Sequence, residues 1–219
     1  MPTGYLKAVY ESVRAGGGVC IADEVQTGFA RMGTSFWGFQ QYDVIPDIVT
    51  IGKPMGNGYP VAAVVCKREL ANSFAATGIE YFNTFGGNSV ACSIAEAVLD
   101  TIHDEKLQTN ALEIGQHFAD RMKTMQKRNK WIGDVRGIGL FQGVEFVKKN
   151  TGNDIVPHPD LTKFVVDYLK LSGIIISRDG PDGNVIKFKP PLVINKKDVN
   201  ALVRGIGQAL AAAKNVFSQ

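Results

Sequence analysis

Three short apolar runs without polar alternation are the feature that most constrains the fold of this chain. They are Gly18-Val-Cys-Ile-Ala22, Asp47-Ile-Val-Thr-Ile51 and Val61-Ala-Ala-Val-Val-Cys66. A strand with one wet face alternates apolar and polar residues, whereas a strand covered on both faces is apolar throughout. The runs therefore predict strands of a mostly parallel sheet covered on both faces, which favours the α/β class.

Helical periodicity and turn signals divide the chain near residue 105. Residues 1–104 hold the parallel-sheet signals and end in a helical pattern from Asn88 onwards. Residues 105–219 have the pattern of a smaller α+β unit, whose last helix has Asn195 as its expected N-cap. The other elements expected in this unit are strands between residues 132 and 146, a helix that Gly173 stops, and strands over 174–177 and 185–188.

Charge and composition argue against several classes of protein. No apolar run approaches the ~20 residues that a membrane helix needs. The net charge is +3, and the dense basic stretch at 121–130 fits the solvated face of a helix better than a nucleic-acid surface. Cys20, Cys66 and Cys92 lie far apart in apolar context, which predicts reduced core thiols, and no histidine has metal-ligand spacing. No signal peptide is visible, so we expect a soluble intracellular protein, with cytoplasm and mitochondrion both open.

Two charged residues come directly after predicted strands. Asp23 and Lys53 each end an apolar run, and ligands of open α/β sheets bind beyond the carboxyl ends of the strands. Gly52 and the turn at 56–58 give the backbone around Lys53 the freedom to bend tightly. We expect the carboxylate of Asp23 to lie in a partly dry place, where it needs a cationic partner. On spacing alone, a surface ion pair explains the same pattern.

A third candidate element is Phe82-Asn-Thr-Phe-Gly-Gly-Asn88, directly before a predicted helix. Free N–H groups at a helix start, two glycines and the Thr84 hydroxyl can together form an anion site. An ordinary capped helix start accounts for the same residues.

These segments together resemble the class-III aminotransferases. The matching stretches are Ala22-Asp-Glu-Val-Gln-Thr-Gly-Phe-Ala-Arg31, Gly52-Lys-Pro-Met-Gly-Asn-Gly-Tyr-Pro60 and Phe82–Asn88, in the family's order and separation. The resemblance implies a pyridoxal-phosphate enzyme of fold type I. Residues 1–104 would form the C-terminal part of the large cofactor-binding domain, and residues 105–219 the small C-terminal domain.

The resemblance also implies roles for five residues. Lys53 would form the Schiff base with pyridoxal phosphate and later transfer protons. Asp23 would pair with the pyridinium nitrogen, Gln26 would bind the phenolic oxygen of the ring, and Val25 would pack on the ring face. Thr84 would bind the cofactor phosphate of a neighbouring subunit, which implies a homodimer.

Of three further charged residues, Arg136 and Lys187 are the candidate substrate contacts. Arg31 and Arg136 lie in family motifs, where structural ion pairing and direct function are both open. Lys187 stands where members that handle an α-carboxylate place an arginine, and lysine still suits phosphate as a point charge. The stretches Gly52–Gly58, Arg136–Phe141 and Asp179–Pro191 resemble the ethanolamine-phosphate phospho-lyase branch, which releases phosphate and ammonia from a phosphorylated primary amine. A transaminase of the alanine–glyoxylate or ω-amino acid type is the alternative.

The family chain is about twice as long as these 219 residues. The resemblance therefore implies the C-terminal half of an enzyme, without the upstream glycine-rich phosphate loop and the aromatic residue that stacks on the ring. We expect an open sheet edge, exposed apolar surface, weak cofactor binding and no activity of the chain alone. A non-catalytic, dimerising remnant is a further alternative.

Overall fold

The structure is a computed structural model that describes residue 2 and residues 4–217. It divides into two compact units, Met1–Gln108 and Thr109–Gln219. The boundary in the chain lies inside a helix, a few residues after the boundary expected near residue 105.

The first unit is built around three short strands. Helix α1 (Tyr5–Ala15) precedes β1 (Ile21–Asp23), β2 (Ile48–Ile51) and β3 (Ala63–Cys66), and helices α2 (Arg68–Ala76) and α3 (Ser89–Asp104) follow. Strand β1 runs parallel to β2, whereas β3 pairs with β2 in the antiparallel direction. The two parallel strands bring the ends of the first two apolar runs to the same edge of the sheet.

The sheet of the first unit is not covered on both faces, so that expectation is wrong for the described residues. Ile21 on β1 is 57% exposed and Val64 on β3 is 68% exposed. Within the described residues β1 is also an edge strand of this sheet. The open edge and the exposed apolar surface expected from the resemblance are therefore confirmed. The expectation of core thiols holds for Cys20 but is wrong for Cys66 and Cys92, which are exposed. Both faces of β3 are uncovered towards its end, and Cys92 is not among the buried residues of α3.

The second unit packs helices on an antiparallel sheet. Helices α4 (Leu107–Gln126), α5 (Pro159–Leu171) and α6 (Lys196–Phe217) accompany β4 (Ile132–Ile138), β5 (Phe141–Lys149), β6 (Ile155–Pro157), β7 (Ser177–Asp179) and β8 (Val185–Phe188). The sheet order is β4-β5-β8-β7, and β6 pairs with β5. Side chains of all three helices and the sheet form one buried cluster, which includes Phe118 stacked on Phe188 at 3.9 Å between ring centroids.

Local signals place most boundaries of the second unit. Asn195 is the N-cap of α6, because its Oδ1 accepts hydrogen bonds from the N–H groups of Lys197 at 2.8 Å and Asp198 at 3.1 Å. Gly173 has φ +79° and follows the end of α5, as expected. The strand expected over 174–177 instead begins at Ser177, since the apolar residues before it line a groove.

Candidate active site

Asp23 and Lys53 lie at the carboxyl ends of two adjacent parallel strands. Asp23 pairs with Thr50 in the register of β1 and β2, and Lys53 follows β2 by two residues. The Oδ1 atom of Asp23 accepts hydrogen bonds from the Val25 N–H at 3.1 Å and the Thr50 hydroxyl at 3.3 Å. Because both bonds go to Oδ1, Oδ2 can accept a further donor. The expectation that Asp23 lies in a partly dry place is wrong for the described residues. Its side chain is exposed, since β1 is an edge strand there.

Lys53 begins a single 3₁₀ turn, Lys53–Gly56, in an unusual backbone conformation. Its φ is +39°, a value that L-residues rarely adopt and that only well-determined surroundings maintain. Its amine-bearing side chain is exposed, and helix α3 packs against the turn. Gly52, the residue before Lys53, lies close to the segment that follows Asp23: a Cβ at Gly52 would be 4.0 Å from Val25 Cγ2. The fold thus holds Lys53 and Val25 in one neighbourhood.

The turn that follows Asp23 contains Val25, Gln26 and Arg31. All three side chains are partly buried. Burial lowers the pKa of Arg31, although a guanidinium keeps its charge at any physiological pH. Asp23, Val25 and Gln26 are therefore carried by one short, partly buried segment.

Glu24 is the residue of this segment that sequence reasoning missed. Its side chain is 2% exposed and accepts three hydrogen bonds, from the Thr27 hydroxyl at 2.7 Å and the N–H groups of Gly38 and Phe39, both at 2.8 Å. Its neighbour in sequence, Asp23, is exposed. Nothing in the local pattern distinguishes the buried carboxylate from the exposed one, because two of the three Glu24 partners, Gly38 and Phe39, come from a distant loop.

Thr84 lies in an exposed turn just before α3. Gly87 in this turn has φ +66°, and Asn88 caps the helix, its Oδ1 accepting from the Ala91 N–H at 2.9 Å. Tyr81, Phe82 and Phe85 are strongly exposed. The described residues thus show a capped helix start that presents a hydroxyl and aromatic rings outwards.

The two candidate substrate residues belong to the second unit, and both are ion-paired. Arg136 on β4 binds the carboxylates of Asp134 and Glu145, which raise its pKa. Lys187 on β8 binds Asp179 on the neighbouring strand β7.

Lys187 also borders an apolar groove. The groove has a volume of about 650 Å³, and Ile174, Ile176, Pro190 and Leu202 contribute to its lining. The Lys187 ammonium, held beside this groove, can bind an anionic group if it releases the Asp179 carboxylate.

The described residues hold neither a candidate membrane helix nor a candidate metal site. No helix in that part of the chain is long and apolar enough to cross a membrane. No group of three or more His, Cys, Asp or Glu side chains there is arranged to hold a metal ion.

Comparison with known proteins identifies the family. The model of the class-III aminotransferases matches residues 1–210. An alanine–glyoxylate aminotransferase 2-like protein of Drosophila melanogaster is 47% identical over 212 residues, which are 96% of this chain and 42% of the relative. Ethanolamine-phosphate phospho-lyase homolog 1 of Caenorhabditis elegans is 41% identical over 214 residues, covering 95% of this chain and 45% of the relative.

A solved structure gives the same result. A phospholyase from Arthrobacter, in complex with phosphoethanolamine, superposes with a TM-score of 0.91 at 40% identity, covering 97% of this chain and 50% of that one. The chain belongs to the class-III aminotransferase family and has the C-terminal part of its fold-type-I architecture. It spans less than half the length of these curated relatives. Members of this family include pyridoxal-phosphate-dependent aminotransferases and lyases.

Proposed function

We propose that Lys53 holds pyridoxal phosphate covalently and that this sequence serves an enzyme acting on small primary amines. The observation that carries the proposal is the placement of Asp23 and Lys53 at the carboxyl ends of two adjacent parallel strands, with Lys53 held at φ +39°. A backbone strained at a residue with a nucleophilic amine is typical of functional sites.

The residues at these strand ends fit that cofactor. Lys53 offers an accessible amine, and Asp23 keeps Oδ2 available to accept a bond from a protonated ring nitrogen. Val25 and Gln26 follow on the same segment, where Val25 would contact the ring face and Gln26 the phenolic oxygen. When bound, pyridoxal phosphate supplies an electron sink for charge that develops on the substrate carbon. Lys53 would take the proton from that carbon.

For the substrate, we propose a phosphorylated primary amine such as phosphoethanolamine, with release of phosphate and ammonia. The likeness to the phosphoethanolamine-bound phospholyase supports this choice. Lys187 supports it as well, because an ammonium suits phosphate, whereas a carboxylate is better held by the planar fork of arginine. The exposed Arg136 is a second candidate contact for the substrate.

Amino transfer is the second candidate. The alanine–glyoxylate aminotransferase 2-like relative favours it, at a slightly higher identity than the phospho-lyase homolog. Both reactions begin with proton removal by Lys53. They differ in whether a leaving group departs from the neighbouring carbon or a proton returns.

We further propose that the working form is a homodimer in which Thr84 reaches the cofactor of the partner subunit. The exposed turn around Thr84 supports this, since it presents a hydroxyl and aromatic rings that no described residue covers. The chain alone is proposed to bind pyridoxal phosphate weakly and to lack turnover.

Borohydride trapping tests the cofactor assignment. The purified chain is incubated with millimolar pyridoxal phosphate, reduced, digested and mapped by mass spectrometry. We expect labelling concentrated on Lys53 and lost in Lys53→Arg, whose guanidinium keeps the charge but cannot form the covalent link. Lys7→Arg is the matched control at an exposed lysine of the same unit. Equal labelling of all exposed lysines would refute the assignment.

The substrate is tested in a hybrid that supplies the rest of the family chain from the Drosophila relative. Phosphate release from phosphoethanolamine and amino transfer from alanine to glyoxylate are measured in parallel. Phosphate release supports the lyase and transfer supports the transaminase. Lys187→Ala should weaken binding of the phosphorylated amine more than that of alanine, and the opposite order would contradict the role of Lys187.

A further inference from the structure

We infer that Glu24 is a positioning residue: its buried carboxylate fixes the turn that carries Asp23 and Gln26 towards the cofactor. The inference rests on the proposed function, because those two residues are the ones proposed to touch pyridoxal phosphate. Glu24 lies one residue after Asp23 and two residues before Gln26. An orientation imposed on the Glu24 backbone is therefore passed along this short segment to both of them.

The surroundings of Glu24 show what holds the turn. One carboxylate oxygen, Oε2, accepts from the Thr27 hydroxyl within the turn and from the Gly38 N–H, while Oε1 accepts from the Phe39 N–H. Gly38 and Phe39 begin a 3₁₀ turn, Gly38–Tyr42, whose first N–H groups have no partner within the turn itself. The carboxylate therefore ties two segments that are about fifteen residues apart.

Packing makes this tie specific. A Cβ at Gly28 would lie 2.8 Å from the Trp37 ring, and a Cβ at Gly38 would lie 2.8 Å from Thr27 Cβ. Backbone can approach this closely only at glycine, so the two segments have one way to fit together.

The same turn stores strain. Phe29 and Ala30 are buried with φ values of +57° and +64°, which non-glycine residues adopt only when their surroundings force them. Phe29 packs edge-on against Trp37 with ring centroids 5.3 Å apart. A strained turn relaxes when the side chain that anchors it is removed. Loss of the Glu24 carboxylate would therefore shift Asp23 and Gln26.

The three donors to Glu24 are uncharged, so among the described residues its carboxylate has no ion-pair partner of the kind that usually accompanies a buried acid. Glutamine has a single acceptor oxygen, and its NH₂ group would face an N–H donor. Aspartate keeps the charge but is one methylene shorter, so it cannot span the same three donors. The position therefore requires a glutamate.

The test compares Glu24→Gln, Glu24→Asp and Thr27→Val, with Glu69→Gln as the control at an exposed acid of the same unit. The purified chain is trapped on Lys53 with pyridoxal phosphate and borohydride at a temperature where circular dichroism shows each variant folded. Trp37 fluorescence, in a Trp131→Phe background that leaves it the sole tryptophan, reports the turn independently of cofactor.

We expect both Glu24 variants to trap about tenfold less on Lys53, a change of about 1.4 kcal/mol, with altered Trp37 emission. Thr27→Val should fall between these variants and the wild type, and it serves as the test if the Glu24 variants do not fold. Rescue by Glu24→Asp would show that charge alone matters and would overturn the inference, as would wild-type trapping in folded Glu24→Gln or Thr27→Val. If the wild-type chain itself shows no preference for Lys53, the proposed function fails and this inference fails with it.

Discussion

Asp47 is the ionic centre of the first unit, and Asp47→Asn is the most informative perturbation of its stability. Its carboxylate is 6% exposed. Oδ1 binds Lys67 Nζ at 2.6 Å and an Arg14 guanidinium nitrogen at 2.9 Å, while Oδ2 accepts from Arg14 Nε at 3.2 Å and the Cys20 N–H at 2.8 Å. These partners come from α1, the residue before β1 and the residue before α2, so one side chain joins three elements.

The size of the destabilisation expected for Asp47→Asn depends on which partners of Asp47 are buried. The side chains of Arg14 and Lys67 are 38% and 47% exposed, so water screens their share of the interaction. The Cys20 N–H is buried, and its bond to a charged acceptor is worth about 1.5–3 kcal/mol. An asparagine offers only one oxygen, so it satisfies either Cys20 or the cations. We expect Asp47→Asn to lower the unfolding free energy of the first unit by about 2–4 kcal/mol, because either the buried Cys20 N–H or the two partly exposed cations lose their acceptor.

The assay is urea unfolding followed by Trp37 fluorescence, with Asp43→Asn as the control at an exposed aspartate four residues away. Hydrogen bonds from Arg14 and then Lys67 hold the pKa of Asp47 well below its usual range. Its stabilising effect is therefore complete above the unfolded pKa of about 3.9 and is lost as the pH falls below it. A wild-type advantage smaller than about 0.5 kcal/mol at pH 7, or one that persists unchanged at low pH, would refute the reasoning.

Three further outcomes are expected. Gly115→Ala should unfold or strongly destabilise the second unit, because a Cβ there would lie 2.1 Å from the Gly139 carbonyl oxygen. Circular dichroism and Trp131 emission measure this, and a melting curve like that of the wild type would contradict it. Burial lowers the pKa of His158, the N-cap of α5, so the second unit should lose stability as the pH falls below about 6.5, and His158→Asn should remove that dependence in urea unfolding. In the hybrid chain, Lys53→Ala should abolish turnover and Asp23→Asn should lower the rate by several orders of magnitude; a retained tenth of the activity would count against either role.

Much of the fold was predictable because its signals are local. An apolar run that ends in a charged residue marks a strand end, and this placed Asp23 and Lys53 without knowledge of the rest of the chain. Asn195 as a helix cap and Gly173 as a helix stop depend on the residues next to them. The motifs around these positions then identified the family, which the family model confirms over residues 1–210.

Features set by distant contacts were not predictable. The antiparallel direction of β3 depends on how a connection of eleven residues returns to β2. The run Ile174–Ile176 resembles a strand in composition, but it lines a groove, and pairing begins only at Ser177. The exposure of Asp23 depends on what lies beside β1, and no sequence pattern within β1 records that.

The two buried acids of the first unit show why burial alone does not reveal a role. Asp47 is surrounded by cations, and its removal should appear mainly as lost stability. Glu24 is surrounded by uncharged donors. The desolvation of its carboxylate is therefore offset by hydrogen bonds of fixed geometry and not by an opposite charge. A carboxylate held in that way contributes most where orientation matters. Asp23, the residue before Glu24, and Gln26, two residues after it, are the two proposed to orient the cofactor ring. Folded Glu24→Gln should therefore lose trapping on Lys53 at a temperature where Asp47→Asn, if folded, still retains it.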